Sequence, residues 1–263
     1  MKLFYRVYGE GKPIIILHGL FGMSDNWIPI AKQLAGKHKV YLLDMRNHGQ
    51  SPHSIIHDYK SMSEDVLEFL NDTKIKKATL IGHSMGGKAV LQFAVDYAKK
   101  VEQLIIADIS PKAYINSQDF KRKVNNHQEL LKSMKQVDLE NFKDRSEVRA
   151  YFNEYFQDDF IHQLIQKNIK KNNQSQFIWK INVDVLYKSL DDIKNEVPLS
   201  NEFRFIKTLF VFGSNSPYFR NEDKVYIQTK LPFAQIKSIE GAGHMLHIEN
   251  GKKFVEIVSA FMN

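Results

Sequence analysis

Residues 80–87 read LIGHSMGG, and within them Gly82-His83-Ser84-Met85-Gly86 sets a serine between two glycines. An apolar run, ATLI, precedes this stretch, and KAVLQFAVDYA follows with helical spacing. A serine on a sharp strand-to-helix turn has strained backbone angles and presents its hydroxyl above a sheet, at a helix N-terminus where negative charge is favoured. The flanking glycines let strand and helix approach each other. Ser84 is therefore the candidate nucleophile; the alternative is a helix N-cap serine. His83 is expected to pack beneath the turn, because neighbours on such a turn point in different directions.

Nucleophilic attack on a carbonyl needs donors for the developing oxyanion. One is the backbone N–H of the residue after the nucleophile, Met85. The second is expected from IIILHGLFG at 14–22, where an apolar strand runs into His-Gly-x-x-Gly. Leu20 is the expected donor and Phe21 the alternative, with His18 holding the loop by hydrogen bonds. The base must reach Ser84 and turn its other nitrogen toward a carboxylate. Of ten histidines, His244 and His247 fall late in the chain, in SIEGAGHMLHIE. His244 follows a Gly-Ala-Gly loop, whereas His247 falls in the next helical pattern, so His244 is the expected base.

These residues need a scaffold. Short apolar strands are read at Lys2–Tyr8, Pro13–Leu17, Val40–Asp44, Ala78–Gly82, Leu104–Asp108, Thr208–Phe212 and Ile236–Ile239, alternating with amphipathic helices. Near-continuous runs such as IIIL and LFVF suit strands covered on both faces. The pattern predicts an α/β fold with a mostly parallel sheet of about seven or eight strands flanked by helices. From Pro111 to about Asn201 no strand is read. Helical spacing recurs at Leu130, Leu131, Met134 and Val137, and at Phe156, Phe160 and Leu164. The reading is a core of 1–110 and 202–263, with a helical cap of 111–201 inserted after the strand ending at Asp108.

Strand-HGLFG, DMRNHGQSPHS at 44–54, GHSMGGK at 82–88 and the late GAGH together resemble the α/β-hydrolase superfamily. The Asn47-His48 pair narrows the resemblance to the YbfF-type bacterial acyl esterases and related abhydrolase-domain proteins, and FIWKINVDVL at 177–186 extends it weakly into the cap. The resemblance implies the α/β-hydrolase fold and esterase or thioesterase activity on small acyl substrates, with no cofactor and no metal. Arg46, Asn47 and Ser51 read as residues that order their loop.

The acid is displaced. In many enzymes built this way the loop after the strand LFVF supplies it, but here the chain reads LFVFGSNSPY, with no carboxylate before Glu222. Serine, acid and histidine follow in that order in this fold. VEQLIIADIS at 101–110 puts Asp108 at the end of a buried run, and the resemblance carries DISP at this place. A buried carboxylate there accepts from His244 and stabilises its imidazolium; the alternative is an aspartate that orders the crossover loop. Ser216, where many relatives hold aspartate, is expected to bond Asp108 or His244.

Composition sets the outer limits. The chain has 263 residues, 43% of them hydrophobic, and no cysteine, which excludes disulfides, cysteine nucleophiles and thiolate metal sites. The net charge of +7 is spread over scattered lysines without the basic stripe and interleaved aromatics of a nucleic-acid binder. The sequence predicts no signal peptide and no membrane span, hence a cytoplasmic location. The expected partner is a small ester or thioester. Rival readings are a carbon–carbon bond hydrolase, a cofactor-free haloperoxidase, and a non-catalytic ligand-binding member of the fold.

Overall fold

The computed structural model describes residues 1–113, 118–199, 202–218 and 220–263. Seven strands form one sheet: β1 (Tyr5–Tyr8), β2 (Lys12–Leu17), β3 (His38–Leu43), β4 (Ala78–His83), β5 (Val101–Ala107), and, after the intervening segment, β8 (Thr208–Gly213) and β9 (Gln235–Ile239). The spatial order is β1-β3-β2-β4-β5-β8-β9, with only β1 antiparallel to its neighbour. All seven expected strands are present, with ends shifted by up to three residues. β5 stops at Ala107, so Asp108 is the first residue of the turn, at φ 53°.

The apolar runs are explained by two covered faces. Ile15 and Leu17 point to one side, where α2 (Tyr59–Asp72) and α3 (Met85–Asp96) bury Met62, Val66, Phe69, Val90 and Phe93. Ile14 and Ile16 point to the other, where α1 (Ile28–Leu34) and α9 (Gly251–Met262) bury Ile30, Leu34, Phe254 and Val258. Each such side chain contributes about 1.5–3 kcal/mol through burial. Helix α8 (Asn221–Lys230) follows β8 and adds Ile227 to the first face.

Between β5 and β8 lie α4 (Gln118–Gln136), α5 (Arg145–Asn153), α6 (Asp159–Lys167) and α7 (Val183–Lys188). They share an apolar cluster of their own, built on Leu130, Leu131, Phe152, Ile165 and Leu186. The strand-free reading of this stretch is corrected: β6 (Ile169–Lys171) and β7 (Phe177–Trp179) pair as an antiparallel hairpin. Each has three residues, too short to show alternation, and the polar loop between them turns at Ser175, φ 65°. The helix drawn through Phe156, Phe160 and Leu164 is also corrected. Asp158 caps α6 by accepting from Phe160 N–H, so Phe156 precedes the helix, which buries His162 and Ile165 instead. Val137 follows the end of α4. Residue 201, where the insertion is expected to end, lies outside the described residues.

Candidate active site

The loops after β2, β4, β5, β8 and β9 converge at the carboxyl edge of the sheet, the usual ligand edge of such a fold. Ser84 sits between β4 and α3 with φ 52° and ψ −118°. This conformation costs on the order of 1–3 kcal/mol and is held by Ser84 N–H donating to Ala107 O (3.0 Å) and Lys88 N–H to Ser84 O (3.1 Å). The flanking glycines are sterically required. A Cβ on Gly82 would lie 2.2 Å from Gly86 O, and one on Gly86 would lie 2.4 Å from Leu17 O.

Asp108 is fully buried and accepts from Gly213, His244 and Ser216 among the described residues. Gly213 N–H reaches Oδ1 (3.0 Å). His244 Nδ1–H reaches Oδ2 (2.7 Å), and Ser216 Oγ–H donates to the same oxygen. With Nδ1–H bound to the carboxylate, Nε2 is the basic nitrogen of His244. The loop that lacks a carboxylate thus holds the one supplied by the neighbouring strand. Its Tyr218 ring also stacks on His244, centroids 4.0 Å apart and planes at 25°. In the sequence only the place of Tyr218, two residues after Ser216, points to it.

Three histidines near the site are held by packing and loop bonds. His83 donates from Nε2 to His244 O (2.8 Å), and burial pushes its pKa down to about 3. His247 is buried with its ring stacked on Trp27, centroids 4.0 Å apart. His18 donates from Nδ1 to Gly19 O (2.8 Å) and accepts Met45 N–H at Nε2 (2.9 Å), with burial lowering its pKa to about 4. Both nitrogens are committed to loop shape.

The two candidate oxyanion donors, Leu20 and Phe21, separate on geometry. Phe21 N–H donates to His48 Nε2 (3.3 Å), while Leu20 N–H enters no hydrogen bond among the described residues. Met85 begins α3, and the first N–H groups of a helix have no intrahelical partner. Leu20 and Met85 are therefore the available pair. The Asn47-His48 marker acquires a mechanical meaning here. His48 steadies the loop after β2, donating from Nδ1 to Arg46 O (3.0 Å), and burial takes its pKa to about 3. Asn47 O accepts Asn182 N–H (3.0 Å), which joins the marker to FIWKINVDVL. Arg46 pairs with buried Asp65 (2.6 Å), and Ser51 Oγ–H donates to Asp44 O (2.5 Å).

Ser84 lies between two cavities. One, of about 50 Å³, is lined by Tyr59, Met85, Ile109, Leu190, Ile193 and Tyr218. The other, of about 250 Å³, is lined by Phe21, Trp27, Phe160, Leu164, His244 and Met245. Among the described residues no group of three or more His, Asp or Glu side chains is arranged to hold a metal ion.

Residues 12–251 match the model of the alpha/beta hydrolase fold family. The chain belongs to that family. Esterase YbfF of Escherichia coli K12 is 30% identical over 97% of this chain and 94% of its own length. The sn-1-specific diacylglycerol lipase of Xenopus laevis is 35% identical over 96% of this chain and 80% of its own. A solved marine microorganism esterase is 36% identical, covers 99% of both chains and superposes with a TM-score of 0.93. The chain is thus one of the YbfF-type and abhydrolase-domain group that its sequence resembles.

Proposed function

We propose that Ser84, His244 and Asp108 form the triad of this ester-cleaving α/β hydrolase and that it works through an acyl-enzyme. The observation that carries the reading is the bond from His244 Nδ1 to a buried Asp108, which itself takes two further donors. Ser84 Oγ attacks the ester carbonyl carbon while its proton passes to His244 Nε2. Leu20 and Met85 N–H groups stabilise the oxyanion. On collapse the bond to the leaving alcohol breaks, and His244 returns the proton to that oxygen. Water then attacks the acyl-serine, giving a proton to His244. The second collapse frees the acid, and Ser84 Oγ regains its hydrogen.

Residues 111–201 act as a cap. Support comes from Asn168, whose Nδ2–H donates to Phe21 O (2.9 Å), and from Asn182 on Asn47, two ties from this segment to the loops around Ser84. A thioester fits the same chemistry, since the leaving thiol needs less help from His244 than an alcohol does. The substrate is a small acyl ester or thioester, and among the described residues no helix is long and apolar enough to cross a membrane. Turnover of a p-nitrophenyl ester panel beside acyl-coenzyme A thioesters tests the reading. Absence of hydrolysis of either class by folded protein would remove it, and would bring forward a carbon–carbon bond hydrolase or a non-catalytic receptor.

A further inference from the structure

Lys88 lies one helical turn after Ser84 on α3 and is 1% exposed. Its ammonium donates to three backbone carbonyls: Lys112 O (3.1 Å), Lys194 O (3.3 Å) and Asn195 O (2.6 Å). These carbonyls lie near the two ends of the 111–201 segment, which leaves the sheet after β5 and returns to it at β8. The same two segments are tied by Val197 N–H donating to Pro111 O (2.9 Å), and Tyr59 Oη–H holds Ile193 O (2.8 Å). Burial pushes the Lys88 ammonium down to about 7, against the attraction of Glu196 and Asp223. A buried charge is costly unless it is bonded, and here its bonds fix a wall rather than a reacting group.

That wall is functional in position. Leu190, Ile193 and Lys194 line the cavity of about 50 Å³ beside Ser84. His244 must protonate the leaving group, so the alcohol occupies the larger cavity that His244 lines, and the acyl chain takes the smaller one. The smaller cavity, about 50 Å³ against about 250 Å³, is the tighter of the two. We propose that Lys88 is a positioning residue that pins the far wall of the acyl cavity to the nucleophile's own helix, and so restricts the enzyme to short acyl groups. This rests on the ester-cleaving reading above. Anchor and nucleophile share the first turns of α3, so the wall cannot drift relative to Ser84 while the three bonds hold.

The test measures kcat/KM for p-nitrophenyl esters from acetyl to decanoyl in wild type, Lys88→Met and Tyr59→Phe, with amide exchange followed over residues 190–197. Wild type should prefer butanoyl to octanoyl by at least about tenfold, the cost of a single ill-fitting methylene, since octanoyl adds several. Lys88→Met should raise the octanoyl-to-butanoyl ratio about tenfold and speed exchange in that segment, with kcat on the acetyl ester within about threefold. Tyr59→Phe, which leaves the Lys88 bonds in place, should move the ratio the same way by a smaller step, and Lys88→Gln, which keeps a donor, takes the place of Lys88→Met if that variant does not fold. An unchanged ratio in the folded variants overturns the proposal, as does a wild type that cleaves all chain lengths alike. A wild type that cleaves no ester overturns the underlying reading instead.

Discussion

Replacing Asp108 by asparagine separates the acid's charge from its shape. The carboxylate accepts from Gly213 N–H, His244 Nδ1–H and Ser216 Oγ–H, and it is fully buried. An asparagine can keep Oδ1 on Gly213, but its amide then offers N–H to His244 Nδ1. The imidazole answers by moving its proton to Nε2, the nitrogen that has to accept from Ser84. A charge-assisted bond of about 1.5–3 kcal/mol is lost and the working tautomer becomes the minor one. Triads altered in this way lose about 10⁴-fold in kcat, equivalent to about 5.4 kcal/mol of barrier. The expected result for Asp108→Asn is therefore a fall of about 10³–10⁴-fold in kcat on a butanoyl ester, with a modest change in KM. Urea unfolding should show the fold intact. Near-full activity in Asp108→Asn, combined with its loss in Asp223→Asn or Glu222→Gln, would refute the assignment.

Ser216→Ala removes one donor to the acid and should lower kcat about tenfold, far less than Asp108→Asn, in the same assay. Arg46→Ala leaves Asp65 buried without its main partner and should cost about 3–5 kcal/mol in urea unfolding. His18, His48 and His83 have folded pKa values of about 4, 3 and 3, below the unfolded value of 6.5. Between those limits only the unfolded state takes up the proton, so stability falls as pH drops below 6.5 and levels off near pH 3. Each histidine contributes a slope of up to about 1.4 kcal/mol per pH unit; a flat urea midpoint between pH 7 and 4.5 would contradict the burial argument.

The parts of the site carried by local sequence were legible. Gly82 and Gly86 announce the turn at Ser84 because no other residue fits there, and the Gly-Ala-Gly run marks the loop that carries His244. Asp108 was legible at one remove, through a strand that ends in a carboxylate and a later loop that lacks one. What the sequence hid arises from contacts between distant segments. The stack of Tyr218 on His244 joins two loops, and Lys88 bonds carbonyls as far away as Asn195. Lys88 reads as an ordinary helical lysine until the insertion is folded over it. The β6–β7 hairpin escaped notice because three-residue strands leave no period, and the helix through Phe156 failed because the cap at Asp158 outweighs apolar spacing. The sheet order, which brings the ends of β4, β5, β8 and β9 side by side, is likewise a property of pairing across the whole chain.

The central claim is that an ester passes its acyl group to Ser84 before water does. Acid-quenching the wild-type protein during turnover of an activated butanoyl ester, followed by peptide mass spectrometry, tests this directly. A butanoyl group is expected on the peptide that contains Ser84, with no adduct in Ser84→Ala and an adduct that forms far more slowly in His244→Ala. Sustained ester hydrolysis by Ser84→Ala, or a stable acyl group mapped to another residue, would contradict it.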